Sequence, residues 1–317
     1  MKTPLFAALA VASLASSVLA SEDIADQYPQ SELYSKPVEV IPHVFSAIGA
    51  TAPPGYDNAG HNNNLSFIVT SEGVVVINAG ASNALAAALH AEIKAETGQP
   101  VVLVINENGQ GHAMLGNGYW RDLGVDVLAH EDAIAEVQKN GDFILQRMQS
   151  YNGDRAGDTR VEPANLSFAD SYEVILGGVD IQVLHLGPAH DPGDTQVWIP
   201  QWQIMIAGDI AFHERMLPIF PHTCTSCWME TWVDKLEPLA PTYVIPGHGH
   251  PTNLAQLRRY TYDYLADLRA KVGAHIDEGG DLAGAYYVDQ EAWRGLDTFD
   301  ELATKNAGRV FEEMEWE

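Results

Sequence analysis

Positive charge is scarce in this 317-residue chain. Seventeen Lys and Arg stand against 43 Asp and Glu, a formal net charge of −26. A surface this acidic repels nucleic-acid phosphates and anionic lipid headgroups, so neither is expected as a partner. Its plain physical use is solubility, with recognition of a cationic partner as the other reading. Cysteine is nearly missing as well: there are two, Cys224 and Cys227, three positions apart. In an oxidising compartment such a pair closes a local disulfide. A free or metal-bound thiol pair in His222-Thr223-Cys224-Thr225-Ser226-Cys227, or plain packing, are the alternatives. Beyond the first twenty residues nothing approaches the roughly 18 uninterrupted apolar residues of a membrane span. Internal repeats and low-complexity tracts are not seen either.

What is present begins with a leader pattern. Residues 1–20 carry Lys2, an apolar stretch from Leu5 to Leu19 and a Val18-Leu19-Ala20 ending. This is the composition of a secretory signal peptide, too short to span a bilayer, and it places the mature chain from Ser21 in the periplasm or outside the cell. Residues 21–278 are long enough for one α/β domain with a large core. After the Gly279-Gly280 turn, residues 279–317 form a helical extension expected to pack on that domain.

β-rich runs fall at Val38–Ser46, Leu65–Thr70, Gly73–Ala79, Val101–Ile105 and Val125–Ala129. They resume at Tyr172–Leu176, Val179–Leu186, Thr195–Ile199, Ile204–Ala207 and Tyr243–Ile245. Helical patterns lie between them. Ser82 caps one carrying Leu85, Leu89 and Ile93, and Gly98 ends it. Others run over Ala113–Trp120, Glu131–Ser150 and Met229–Leu236, then from Thr252 through the stripe Leu254, Leu257, Tyr264, Leu268, Val272, and near the end over Gln290–Trp293 and Phe299–Glu315. Two blocks of strands, each with helices, predict a sheet-on-sheet core covered by helices on both outer faces.

Three phrases carry chemistry. Gly187-Pro188-Ala189-His190-Asp191-Pro192-Gly193-Asp194, Ala207-Gly208-Asp209 and Pro246-Gly247-His248-Gly249 each put a His or Asp on a Gly/Pro-rich turn at a predicted strand end. Backbone there can approach an ion closely, and a metal site draws its ligands from several such ends meeting at one cleft. A buried carboxylate at Asp209 requires a metal or a cationic partner.

In these phrases, from about Val38 to the helix after His248, the chain resembles the metallo-β-lactamase-fold hydrolase superfamily. The resemblance implies an α/β fold of four αββα layers, with the metals at one edge of the sandwich. It carries metal-ligand roles onto His190, Asp209 and His248, the second of which bridges two ions in the family. The family's first motif, Thr-His-x-His-x-Asp-His, falls without gaps on Glu107, Asn108, Gln110, His112 and Ala113. Here His112 stands where the family has Asp, and imidazole is a competent ligand for zinc or iron. A one-residue gap would instead align His112 with the motif's last His. Asn108 and Gln110 replace two imidazoles, and neutral amides bind zinc poorly. Asn78 replaces an Asp that in the family buttresses the metal loop.

The resemblance therefore implies an exported metal-dependent hydrolase of ester, thioester or amide bonds, acting on a small molecule. One transition metal ion is expected, zinc first and iron or manganese as alternatives, held by His112, Asp209 and His248. His190 is the fourth ligand or the acid/base, and Asp209 and His190 are the catalytic pair. The competing reading is a non-catalytic relative of the same fold whose cleft binds a ligand or partner. A weaker third is sulfur or redox chemistry at Cys224 and Cys227. His61-Asn62-Asn63-Asn64 reads as a polar turn before a strand, with a segment overhanging the cleft as the alternative, and His213, Glu214 and His222 as loop residues beside the site. Trp228 and Trp232 are expected in the core, and His130, His185 and His250 have no assigned role.

Overall fold

The computed structural model describes Tyr28 and residues 30–317. The expected leader, residues 1–20, lies outside the described residues.

The first sheet contains β1 (Val38–Ile41), β2 (Val44–Ala47), β3 (Leu65–Val69), β4 (Val74–Ile77), β5 (Val101–Ile105), β6 (Asp126–His130) and β7 (Leu166–Phe168), in that spatial order. The second contains β8 (Ser171–Leu176), β9 (Val179–Leu184), β10 (Gln196–Ile199), β11 (Ile204–Phe212) and β12 (Tyr243–His248), in the order β12-β11-β10-β9-β8. Pairing is antiparallel from β1 to β4 and parallel from β4 to β7. In the second sheet only β11 and β12 are parallel. The parallel strands β4 and β5 are continuous apolar runs, as strands covered on both faces must be.

Four layers follow from which side chains those strands bury. Between the sheets lie Ile68, Val75, Ile77, Leu103 and Ile105 from one side, with Ile181, Val183, Val197, Ile204 and Ile245 from the other. Outside the first sheet, Phe67, Val74, Val76 and Val104 receive Leu85, Leu89 and Ile93 of the helix Asn83–Glu96. Outside the second, Trp198, Met205 and Val244 pack with Trp228, Leu257, Leu268 and Val272. Ala303, Ala307, Val310 and Phe311 of the helix Phe299–Met314 enter that same cluster, so residues 279–317 share the domain's outer core. Among the described residues no helix is long and apolar enough to cross a membrane.

Several boundaries differ from the sequence pattern. The run Val38–Ser46 is two strands, reversed at His43 (φ +76). The helix expected from Thr252 is capped by Asn253 and broken at Thr261, whose hydroxyl exchanges hydrogen bonds with the Phe212 N–H and carbonyl (2.9 and 3.1 Å). Residues 113–120 fall in two short helices, Gly111–Met114 and Asn117–Asp122. The strand expected to stop at Ala207 continues through Asp209 to Phe212.

The edge that matters is where β4, β5, β11 and β12 terminate. There the halves are tied by backbone hydrogen bonds: Thr195 N–H to Glu107 O at 2.7 Å, and Asn64 N–H to Gly247 O at 2.8 Å.

Candidate metal centre

Asp209 sits at the middle of this edge, 1% exposed. Its Oδ1 lies 3.3 Å from His248 Nε2, and its Oδ2 3.4 Å from His112 Nε2. Each of the three offers one ligand atom within 4.8 Å of the other two. β11 carries Asp209 within its length, β12 ends on His248, and the turn after β5, which starts the helix Gly111–Met114, supplies His112.

The hydrogen bonds fix how these atoms face one another. His248 Nδ1 donates to the Asn62 carbonyl, so Nε2 turns a lone pair toward Asp209. Asp209 Oδ1 has no hydrogen-bond partner although it is buried. A lone pair facing an ionised oxygen at 3.3 Å is repulsive unless a cation lies between them. Burial alone would raise the pKa of Asp209, but the imidazoles of His248 and His112 beside it hold it below the ordinary carboxylate range. Burial lowers His248 to about 4 and lowers His112 as well, which keeps both rings in the neutral form that binds metals. An orphaned carboxylate oxygen and two neutral imidazoles are donors that suit a transition metal.

His190 is brought to the site but not into the trio. Its Nδ1 stands 3.6 Å from Asp209 Oδ2 and 3.2 Å from Gln110 Nε2, and its buried Nε2 has no partner. Phe212, Phe220 and Trp228 surround the ring at centroid distances of 5.5, 5.1 and 5.7 Å. Burial takes it down to about 4.

The two amides that replace imidazoles are used as hydrogen-bonding groups. Asn108 Nδ2 donates to Asp209 Oδ2 at 3.2 Å and to Asp194 Oδ1 at 3.4 Å, while its Oδ1 accepts from Gln110 N–H. Asn78 buttresses the loop as an amide: Oδ1 accepts from Glu107 N–H at 3.1 Å and Nδ2 donates to Asn64 O at 3.3 Å. Ala113 is fully buried and its carbonyl accepts from Asn106 Nδ2 and Ala79 N–H.

Sequence patterns left the contacts of four supports undefined. Glu107 is buried with Oε1 3.1 Å from His112 Nε2, and burial followed by the neighbouring Asp209 raises its pKa well above normal. The polar turn His61-Asn62-Asn63-Asn64 before β3 is buried. Besides the Asn62 contact, Asn64 Nδ2 donates to Pro246 O and Gly249 O at 2.9 and 2.8 Å, clamping both sides of His248. Arg215, also buried, places Nη1 3.3 Å from His248 Nδ1. His222, half exposed, meets buried Asp191 at 3.3 Å, and that hydrogen bond raises its pKa. The only signal for these in the sequence is a density of polar residues next to predicted strand ends.

Of the loop residues, His213 Nδ1 bonds the His250 carbonyl and Glu214 bonds His250 Nδ1 at 2.7 Å, so both stabilise the turn after His248. His130 and His185 stack on each other at 4.1 Å, at the end of β6. Trp228 and Trp232 are core. Cys224 and Cys227 form a disulfide, which leaves no thiol for metal or redox chemistry among the described residues. Replacing both by Ser is expected to cost about 2 kcal/mol, as loop-closure entropy for so short a loop gives. Metal content measured by elemental analysis should not change.

The neutral imidazoles also set a pH dependence. In the unfolded chain they titrate near 6.5, whereas folded His190 and His248 titrate at about 4. Between those values the unfolded chain binds more protons, so this histidine contribution is complete above about pH 6.5 and is lost as pH drops toward 4, while buried Glu107 and Asp194, raised well above normal, act in the opposite sense. Chelator-treated His190→Gln protein should therefore lose less stability between pH 7.5 and 5.0, by urea midpoint, than the unaltered chain; an equal loss would contradict it.

The site opens into a cleft of about 480 Å³ lined by His112, His190, Asp209, His248 and Arg215, with the helix Glu131–Asn152 as one wall. The metallo-beta-lactamase superfamily profile matches residues 112–248, the span from the first trio histidine to the last. A type 2 metallo-beta-lactamase of Bacteroides fragilis is 26% identical over 153 residues, 47% of this chain and 53% of that protein. The chain thus spans about half the length of that curated relative. Among solved structures, a metallo-beta-lactamase from Pontibacter korlensis superposes with a TM-score of 0.60 at 18% identity, covering 73% of this chain and 98% of that one. A stereoselective inverting sec-alkylsulfatase from Pseudomonas sp. gives 0.64 at 18% identity, covering 87% and 49%. The superfamily resemblance covers residues 112–248, and the two packed sheets with outer helices are the fold of these solved structures.

Proposed function

We propose that the protein is an exported, metal-dependent hydrolase of a small-molecule ester, thioester or amide, with one metal ion held by His112, Asp209 and His248. The observation that carries this reading is the orphaned Asp209 Oδ1 opposite the His248 Nε2 lone pair, at the floor of a cleft of substrate size. When bound, a zinc, iron or manganese ion supplies the Lewis acidity that acidifies water and polarises the scissile carbonyl. Three protein ligands leave a position open for that chemistry.

The chain's own residues do the rest. Asn62 orients the His248 ring through Nδ1, and Asn108 orients the Asp209 carboxylate through Oδ2, the supporting contacts that metal ligands need. His190, neutral and 3.6 Å from Asp209, serves as fourth ligand or moves a proton between water and the leaving group. The aromatic enclosure of Phe212, Phe220 and Trp228 limits water at that ring. Export with cleavage near Ala20 is part of the proposal, supported by the leader pattern and by a disulfide suited to an oxidising compartment. The relatives act on different substrates, so the fold selects none of them.

Chromogenic esters, thioesters and anilides presented to metal-free and zinc-, iron- or manganese-loaded protein test the reading. Turnover is expected only after loading. The second reading, a non-catalytic relative, draws on Asn108 and Gln110, whose amides occupy ligand positions. It gains if loaded protein binds metal and turns over nothing.

A further inference from the structure

The Cys224–Cys227 bond lies away from the metal-holding trio, on the wall of a second cavity of about 280 Å³. Cys224 lines that cavity with Phe220, Ser226, Arg309, Glu312 and Glu317, whereas Cys227 does not line it. Both cysteines are partly exposed, and exposed disulfides are the exchangeable ones, in contrast to buried structural bonds. The first turn of the helix Thr225–Thr231 has a second tie besides the bond. Glu313 accepts the Ser226 N–H at 3.2 Å and the Thr225 hydroxyl, and Arg269 fixes Glu313 at 3.3 Å. Two donors meet the Cys224 sulfur, the Cys227 N–H at 3.2 Å and the Ser226 hydroxyl at 3.5 Å. They are placed to hold negative charge on that sulfur once the bond opens. With no free thiol present, the bond itself is the reactive group.

We propose that Cys224 is a site of reversible thiolation by a small cationic thiol. A thiolate entering the cavity attacks Cys224 Sγ. The new S–S bond forms there as the Cys224–Cys227 bond breaks, and the electron pair leaves on Cys227 Sγ, which takes a proton from water. A second thiolate, attacking the sulfur of the bound thiol, releases Cys224 as a thiolate onto its two donors. Two thiols are then oxidised to one disulfide, and the protein bond is reduced to a dithiol. Without a second thiol, the Cys227 thiolate attacks Cys224 and restores the bond. The preference for positive charge comes from the cavity wall. Arg309 pairs with Glu312 at 2.7 Å, and Arg269 behind the wall pairs with Glu313 and Glu317 at 3.3 and 2.6 Å. Three carboxylates thus face two guanidiniums, in a chain of net charge −26. The cavity is smaller than the pockets that take drug-sized ligands, so the thiol is small. Phe220 lines both this cavity and the metal cleft, so the adduct adjoins a wall of the cleft.

Cysteamine, 2-mercaptoethanol and 3-mercaptopropionate are the probes, given to the full oxidised chain at equal thiolate concentration, stopped with N-ethylmaleimide and mapped by peptide mass. The trapped species is expected to carry the probe on Cys224 and the maleimide on Cys227. Cysteamine should react about tenfold faster than 3-mercaptopropionate at low salt, with 2-mercaptoethanol between them. That spread should shrink in about 1 M salt. Changing the exposed Glu312 and Glu317 together, Glu312→Gln with Glu317→Gln, should remove most of the advantage of cysteamine. A probe found on Cys227 in place of Cys224, reaction only after unfolding in urea, or equal rates for the three probes overturns the proposal. Should the double variant lose stability, the unaltered protein still decides the charge preference, because rates that fail to converge in high salt overturn it.

Discussion

Asp209→Ala and His248→Ala are each expected to empty the metal centre. Removing a group that only supports a ligand already costs about 10- to 100-fold in metal affinity. Loss of a ligand itself leaves two protein donors where catalytic zinc sites keep three, so the affinity should fall by more than about 100-fold. Dialysed variants should hold almost no metal by elemental analysis, and hydrolysis should fall with it. Asn108→Ala is the contrasting case. Its amide only donates to Asp209 Oδ2 and Asp194 Oδ1, so the variant keeps its ion with affinity weakened by about tenfold. Full metal retention after both Asp209→Ala and His248→Ala would show that the ion sits elsewhere.

Gly208→Ala should be the most damaging small substitution near the site. Gly208 has φ +64, where an L side chain is strained, and an added Cβ would fall inside contact distance of Glu107 Oε2 and 3.2 Å from Glu107 Cβ. Both neighbours are buried in the tie between the sheets, so relief requires moving β11 or the Glu107 turn. Backbone strain and overpacking together should cost about 2–4 kcal/mol, read from urea unfolding. Because Asp209 follows directly, metal content should drop as well. A variant with unchanged midpoint and metal content would contradict this packing account.

The layers of the fold were legible because apolar runs record them: Val74–Ile77 is buried throughout, and Val101–Ile105 is buried at every position but Val102. His190, Asp209 and His248 were legible because each lies in a Gly/Pro-rich phrase at a strand end, and the structure gathers all three with His112 on one edge. What escaped depends on contacts far apart in sequence. Asn62 meets His248 across 186 positions, and no local pattern marks a backbone carbonyl as a ring-orienting acceptor. His61 to Asn64 read as a polar turn before a strand; here the segment is buried, with hydrogen bonds from Asn64 to Pro246 and Gly249 compensating the burial. The extension of β11 through Asp209 escaped because Gly208 ordinarily ends a strand, and only the parallel neighbour β12 carries it onward. The break at Thr261 was hidden for a similar reason, since its cause is a hydrogen bond to Phe212, 49 residues earlier.

A single metal centre built from His112, Asp209 and His248 is expected, with amides occupying the places where a second ion's imidazoles would stand. Native mass spectrometry of the protein loaded with excess zinc and then dialysed, alongside elemental analysis, tests it most directly. One tightly bound ion per chain is expected; two ions, or none after loading, would contradict a single centre of three ligands.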